Sequence, residues 1–246
     1  MKKTTLSIVI ITKNEEEHLP VLLNSIQGQS LLPDEIIVAD AKSEDKTREI
    51  ARKNGCQVIE GGLPSVGRNL GATTAKSDYV LFFDADVQLL DEKFLEVAMK
   101  EMVKRDLDFA TFDVKPIDGG IYDEFSHWFY NKYVRLIAPL HQHAAGFCIL
   151  VRRSFHHRVG GFDETITFCE DHEYAVRAHK AGKYGILSPA VHTSVRRFDN
   201  DGRLNIAVKF FLAEMHFWFL GPIRDDKFKY KMVYKPGERK NKKVKK

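Results

Sequence analysis

Asp84-Ala85-Asp86 sets two carboxylates at i and i+2, directly after the apolar run Tyr79-Val-Leu-Phe-Phe83. Where a buried strand unwinds, such acids can converge on one cation, and hard carboxylate oxygens suit Mg2+ or Mn2+ holding phosphate oxygens. Asp-x-Asp is common by chance, so its position after the strand is what gives it weight. A second acid pair, Glu170-Asp171, lies beyond Gly160-Gly-Phe-Asp-Glu164, whose two glycines read as a tight turn that uses positive φ. Two readings fit that pair: acids balancing the positive end of a helix, or a general base. Residue type alone favours the first.

Weaker candidates surround these. His141-Gln-His143 has the spacing of metal ligands on a strand, with no partner cluster evident in the sequence. His156-His157 lies among basic residues and is expected to face solvent. Cys148, in an apolar run, reads as core rather than nucleophile. Trp128, Phe129, Tyr130 and Tyr133 form an aromatic stripe, for which core packing is favoured over a sugar- or lipid-acceptor wall.

The elements that must position the acids can be read from periodicity. Leu6–Ile11, Glu35–Ala39, Cys56–Ile59 and Tyr79–Phe83 are short apolar runs of the kind that form buried parallel strands. Between them fall helical patterns: about residues 16–29, a helix capped by Ser43 and stopped at Gly55, and a short helix around 66–75. The alternation predicts a mostly parallel sheet with helices on both faces, and in such sheets ligands bind beyond the carboxyl ends of the strands. Asn14-Glu15, Asp40 and Asp84-x-Asp86 stand at those ends, so acids distant in sequence are gathered on one edge. Further on, helices are expected at 92–105, 121–137 and 169–181, with strands at 109–113 and 147–151. Residues 205–220 are apolar and aromatic but interrupted by Lys209, Glu214 and His216.

Composition narrows the class. Length 246, with 43% hydrophobic and 29% charged residues, suits one soluble α/β domain with an appended tail. Three dispersed cysteines do not make a disulfide framework, and the apolar run at Leu6 is too short for a signal peptide. The expected location is therefore cytoplasmic. Residues 227–246 hold nine Lys and one Arg against one Glu, a net +9; the whole chain is +4, so residues 1–226 carry −5. An acidic body with a basic tail excludes the charge footprint of a nucleic-acid-binding domain. Following Phe210, Phe211, Phe217, Trp218 and Phe219, the tail has two readings: a solvated end beside a packed helix, or an interfacial segment on anionic lipid at the cytoplasmic face of a membrane, where each Lys or Arg contributes about 1 kcal/mol.

Taken together and in order, Ile8–Glu15, Val38-Ala-Asp40 with Ser43 and Asp45, Gly67-Arg-Asn69 with Gly71, Phe83-Asp-Ala-Asp86, Arg152-Arg153, Gly160-Gly-Phe-Asp163 and Glu170-Asp171 resemble a family 2 glycosyltransferase of the GT-A fold. The resemblance spans about residues 5–200. It implies a Rossmann-like catalytic domain over 1–202, with a nucleotide-sugar half to about 113 and an acceptor half after it, then a helical extension over 203–226 and a flexible tail over 227–246.

The resemblance also implies roles. Thr12, Asn14 and Glu15 would hold base and ribose, Asp40 the nucleobase edge, and Arg68, Asp84, Ala85 and Asp86 the rest of the nucleotide-sugar. Asp86 and Asp84 would bind Mg2+ or Mn2+, with His192 as a third metal contact and Asp171 as the catalytic base. Glu170, Arg196 and Arg197 would face acceptor or diphosphate. The implied reaction is an inverting transfer from a nucleoside-diphosphate sugar, UDP-sugar favoured, to a hydroxyl acceptor, with a lipid-linked or cell-surface glycan precursor as the fitting class. Two departures stand out: Asp40-Ala-Lys-Ser43 replaces a more acidic, glycine-bearing form, and Val195-Arg-Arg-Phe198 lacks the Gln-x-x-Arg-Trp of processive members. The other readings are a catalytically silent nucleotide-binding scaffold on the same fold and a nucleotidyltransferase; the latter expects a Gly-rich phosphate loop after the first strand, where Thr12-Lys-Asn-Glu15 stands.

Overall fold

β1 (Leu6–Thr12) has almost no exposed residue on either face, as its unbroken apolar sequence requires. It is the centre of a parallel half-sheet in the computed structural model, which describes residues 4–225, 227 and 228. The order of elements is β1, α1 (Leu19–Gln27), β2 (Glu35–Asp40), α2 (Thr47–Lys53), β3 (Gln57–Glu60), α3 (Pro64–Thr74) and β4 (Tyr79–Asp84). There follow β5 (Val87–Gln88), α4 (Phe94–Lys104), β6 (Phe109–Pro116), α5 (Ile121–Ile137), β7 (Cys148–Arg152), α6 (Arg153–Arg158), α7 (Glu170–His179), β8 (Tyr184–Thr193), α8 (Arg196–Asp201) and α9 (Arg203–Leu220).

All eight strands form one sheet in the order β3-β2-β1-β4-β7-β6-β8-β5. The first four strands are parallel, β7 runs antiparallel to β4 and β6, and β6 pairs parallel with β8. The expected Rossmann-like sheet is present, with a mixed second half. Register sets the functional edge: Thr12 pairs with Asp40, and Ile11 with Asp84, so both acids end on the same line as the end of β1. Alternate residues feed two cores. Ile8, Ile10, Leu81 and Phe83 pack with α1 and α4 residues such as Leu22 and Phe94, while Val9 and Phe82 pack on the other face with Phe155 of α6 and Tyr174 of α7.

α3 lies on that second face unusually close to the sheet. Gly67 and Gly71 are one turn apart and present no side chain to β1; a Cβ on Gly67 would stand 3.0 Å from Ile11 Cγ2, and one on Gly71 2.2 Å from Val9 Cγ1. This close approach carries Arg68 to the acidic edge.

Some expectations need correction. Ser43 does not cap α2, which starts at Thr47; Ser43 instead turns back onto Asp40. β8 does not read as a strand because Gly185 and Pro189 interrupt its pattern. The ladder absorbs Ser188 and Pro189 where pairing jumps from Phe112–Leu187 to Asp113–Ala190, a bulge where proline's missing N–H costs no ladder bond. His156 does not face solvent: it is buried and its Nδ1 lies 3.1 Å from the Tyr174 hydroxyl. The aromatic stripe is not core at Trp128 and Phe129, which are more than half exposed.

α9 runs beside α5. Arg203 forms a two-point ion pair with the buried Asp123 at one end (2.8 and 2.7 Å), and Tyr133 donates to Glu214 (2.9 Å) further along. Only Ile206 and Ala213 of α9 are buried. The outer faces of the two helices are apolar, with Ile121, Phe125 and Leu136 on α5 and Leu204, Phe211 and Phe219 on α9 all exposed. Among the described residues no helix is long and apolar enough to cross a membrane. The basic tail after Lys227 lies, but for Phe228, outside the described residues.

The close seat of α3 predicts that Gly71→Ala costs about 1–3 kcal/mol by overpacking against Val9. Urea denaturation of the variant checks it, and unchanged stability would mean that α3 sits further out.

Candidate functional site

Five carboxylates and two arginines meet at the carboxyl edge of the parallel strands. Arg68, 3% exposed, sends Nη2 to Asp84 (3.0 Å) and Nη1 to Glu170 (2.7 Å), with its guanidinium over the Phe162 ring at 5.5 Å. Arg196, at the start of α8, makes a two-point pair with Glu15 (2.8 and 2.7 Å) and reaches Asp86 Oδ2 through Nε (2.9 Å). The fifth acid is Asp171. One arginine thus joins β4 to α7, and the other joins the loop after β1 to the Asp86 turn.

The loops that hold these groups are built from left-handed residues and side-chain bonds. Asn14, Lys42 and Cys169 all adopt positive φ (55°, 58° and 60°), uncommon without glycine, and each stands in a loop of this edge. Cys169 precedes α7 and turns Glu170 inward, where it is 7% exposed. Asn14 N donates to Ser43 Oγ (2.8 Å), Glu44 N to Asn14 Oδ1 (2.9 Å) and Glu15 N to Thr47 Oγ1 (2.8 Å), which zips the loop after β1 to the loop after β2.

Asp40 is the anchor of that zip. It is fully buried, and its carboxylate accepts from Thr12 Oγ1 (2.9 Å) and from Ser43 N (2.9 Å) and Oγ, while Arg48 Nε stands 3.5 Å away. Thr12 and Asp40 therefore shape the loop rather than line an open groove. Ala85 is buried beneath the acidic turn.

Asp171 stands at the same edge. Its Oδ2 accepts the Gly146 N–H at 2.7 Å, and its Oδ1 accepts the His172 N–H at 2.9 Å. A Cβ on Gly146 would stand 3.0 Å from Asp171 Oδ2 and 3.1 Å from Arg68 Nη2, so a larger residue there would push one of the two aside. Gly146 carries no sequence signal; it emerges only when β7 is laid beside β4. Glu170 spends its carboxylate on Arg68, while Asp171 is half-buried and bonded only to backbone N–H groups.

The electrostatics follow from these partners. Burial, with the negative charges of Asp86 and Glu170, pushes the Asp84 carboxyl up to about 6 against the pull of Arg68. Burial also opposes charge on Glu15, but His18 and Arg196 outweigh it and hold that carboxyl at about 2. The donors at this turn are carboxylate oxygens, which fit a divalent magnesium-like cation. His192 sits on β8 with its backbone paired to Gln88, two residues past Asp86, and its buried Nδ1 has no hydrogen-bond partner. It makes no ion pair or hydrogen bond with either acid. Arg197 is half-buried on α8 beside Arg196.

The profile of glycosyl transferase family 2 matches residues 7–160. The chain belongs to this family. The fold of this family 2 chain is that of solved GT-A enzymes: the mannosyltransferase PcManGT from Pyrobaculum calidifontis, in complex with GDP-Man and Mn2+, superposes with a TM-score of 0.68 at 18% identity, over 87% of this chain and 65% of that one. TarS 1-349 from S. aureus, in complex with UDP-GlcNAc, gives 0.62 at 20% identity, over 88% and 73%. Among curated relatives, the 4,4'-diaponeurosporenoate glycosyltransferase of Staphylococcus haemolyticus is 37% identical over 110 residues, 41% of this chain and 29% of that protein. Succinoglycan biosynthesis protein ExoA of Rhizobium meliloti is 26% identical over 200 residues, 74% of this chain and 60% of its own length. The matches thus leave much of these relatives' length uncovered.

One residue in this family 2 site was not given its weight by type or spacing. Arg196 reads in sequence as a diphosphate clamp, yet here it is the clasp between Glu15 and Asp86. Arg68 is the corresponding clasp on the other side, and its removal would strand a buried acid. Arg68→Met is expected to cost about 3–5 kcal/mol, and adding Glu170→Gln to recover part of that loss. Denaturant unfolding of the two variants measures both; no recovery in the double variant would mean that Glu170 is not the stranded charge.

Proposed function

We propose that this chain is an inverting glycosyltransferase that moves a sugar from a nucleoside-diphosphate sugar, UDP-sugar favoured, to a hydroxyl acceptor. The observation that carries the reading is the placement of Asp171: a half-buried carboxylate, fixed by the Gly146 and His172 N–H groups and separated by the Arg68 guanidinium from Asp84. In this reading Asp171 takes the proton from the acceptor hydroxyl as the oxygen attacks the anomeric carbon from the face opposite the leaving diphosphate. One base and no enzyme nucleophile give a single displacement with inversion.

Asp84 and Asp86 would hold Mg2+ or Mn2+, with His192 on the adjacent strand as the third candidate ligand, and the cation would supply Lewis-acid stabilisation of the diphosphate. Glu15, Asn14 and the loop built on Thr12 and Asp40 would shape the base and ribose site. Arg196, freed from Asp86 by a bound cation, would turn to the diphosphate, with Arg197 beside it. Asp171→Asn keeps an oxygen acceptor, so nucleotide affinity should stay within about twofold while kcat falls about 10²–10⁴-fold; full activity in that variant would overturn the assignment. Thermal melts with UDP, GDP and dTDP, with and without Mn2+, test the donor site. A nucleotide at 100 times its Kd should stabilise by about 2.7 kcal/mol, and Asp86→Ala should remove the metal-dependent part. No shift with any of them would favour a silent scaffold.

The apolar outer faces of α5 and α9, followed in sequence by the net +9 tail, support a peripheral seat on anionic membrane and hence a lipid-linked acceptor. Co-sedimentation with anionic phospholipid vesicles is expected for the full chain, with binding reduced at least about tenfold in Phe211→Glu/Phe219→Glu, since both aromatic groups lie in that face. Binding that ignores the double substitution would separate the tail from the helix face and sink the interfacial reading.

A further inference from the structure

Next to Asp171 in sequence and in space, three imidazoles and a carboxylate converge from three parts of the chain. His141 and His143 come from the loop between α5 and β7, His172 from α7, and Glu214 from α9. His143 is buried, and its Nε2 stands 3.4 Å from His141 Nδ1 and 3.1 Å from Glu214 Oε1. One ligand atom from each of His141, His143 and Glu214 lies within 4.8 Å of the others.

Those separations have a chemical meaning. A tetrahedral zinc site with bonds of about 2.0–2.1 Å places neighbouring ligand atoms about 3.3 Å apart. The two closest edges of the cluster already have that length. The residue types, two imidazoles and one carboxylate, are a set that zinc takes, with a fourth position left for water or a further group. The outer contacts also fit. His143 Nδ1 faces His172 Nε2 at 3.3 Å, which orients the ring, and Glu214 Oε1 accepts from Tyr133 Oη (2.9 Å) and Trp218 Nε1 (2.6 Å), with His172 Nδ1 3.6 Å from its other oxygen. His141 is half-buried and stacks on Trp218, itself 46% exposed, so the cluster has a way in from solvent.

The location gives the site a task. α9 buries only Ile206 and Ala213, too little apolar surface to hold an eighteen-residue helix firmly by burial alone. Glu214 is the point where α9 meets both the 138–147 loop and the helix that begins with Glu170-Asp171.

We propose that His141, His143 and Glu214 bind a zinc-class transition metal, separate from the Asp84–Asp86 donor site, and that this metal staples α9 to the loop and helix around Asp171. The site rests on its own geometry and holds whether or not the chain transfers sugars.

Full-length protein is stripped with chelator, dialysed, and titrated with Zn2+ alone by calorimetry, with retained metal counted by mass spectrometry. One equivalent should bind and raise Tm. His141→Ala, at the half-buried ligand, and Glu214→Gln, which keeps shape, should each weaken binding at least about tenfold and abolish the Tm rise. Melting of both variants without metal shows that they are folded. The Asp84→Asn/Asp86→Ala variant should still bind its equivalent. No binding by folded wild type, or affinity unchanged in both cluster variants, would overturn the proposal and leave a hydrogen-bonded cluster. Loss of the equivalent in Asp84→Asn/Asp86→Ala with retention in His141→Ala would overturn it too, by placing the metal at the donor acids.

Discussion

The site depends on the pairing of Arg68 with Asp84 and Glu170. A buried guanidinium is costly unless both its charge and its donors are met, and a buried carboxylate has the same need. Here the charges meet across 102 residues of sequence at 2.7 Å, with Arg68 Nη2 on Asp84 as well, while the buried Arg68 Nε has no hydrogen-bond partner. Everything around them serves that meeting. Glycines at 67 and 71 let α3 lie flat on β1 so that the arginine reaches the edge, and the left-handed Cys169 turns Glu170 toward it.

With Glu170 occupied in this way, the chain's next residue, Asp171, takes its partners from backbone N–H groups instead. Asp171 follows it in the first turn of α7, half-buried where Glu170 is buried. A backbone N–H from Gly146 then fixes that carboxylate without lending it a cation. The opposite choice is seen at Glu15, whose arginine clasp keeps it charged and structural.

Much of the framework was legible because it rests on local rules. β1 to β4 follow from short apolar runs ending in polar residues, and their helices from the spacing of Leu19, Leu22, Leu23 and Ile26 and from glycine stops. The acids at the strand ends follow from the parallel topology. The second half was less legible. β8 hides behind Gly185 and Pro189 because a bulge tolerates what a regular ladder would not. His156 lies among basic residues yet is buried, since its hydrogen-bond partner Tyr174 arrives from eighteen residues away. Trp128 and Phe129 mislead in the other direction: aromatic groups at helical spacing describe an apolar face, and spacing does not say whether protein covers it.

By itself the sequence determined the parallel half-sheet, its acidic edge, and the family to which the motifs in their order belong. These are consequences of periodicity and of chain order, which survive without knowledge of distant contacts. Only the tertiary structure decided which partners each acid has. Asp40 became an anchor, Glu170 a partner of Arg68 and Asp171 a carboxylate held by backbone N–H groups. His141 and His143 gained Glu214 from a helix more than seventy residues away. The physical reason is common to all four cases: the role of an ionisable group is set by burial and by the charges within a few ångströms, and in this chain those neighbours come from other elements.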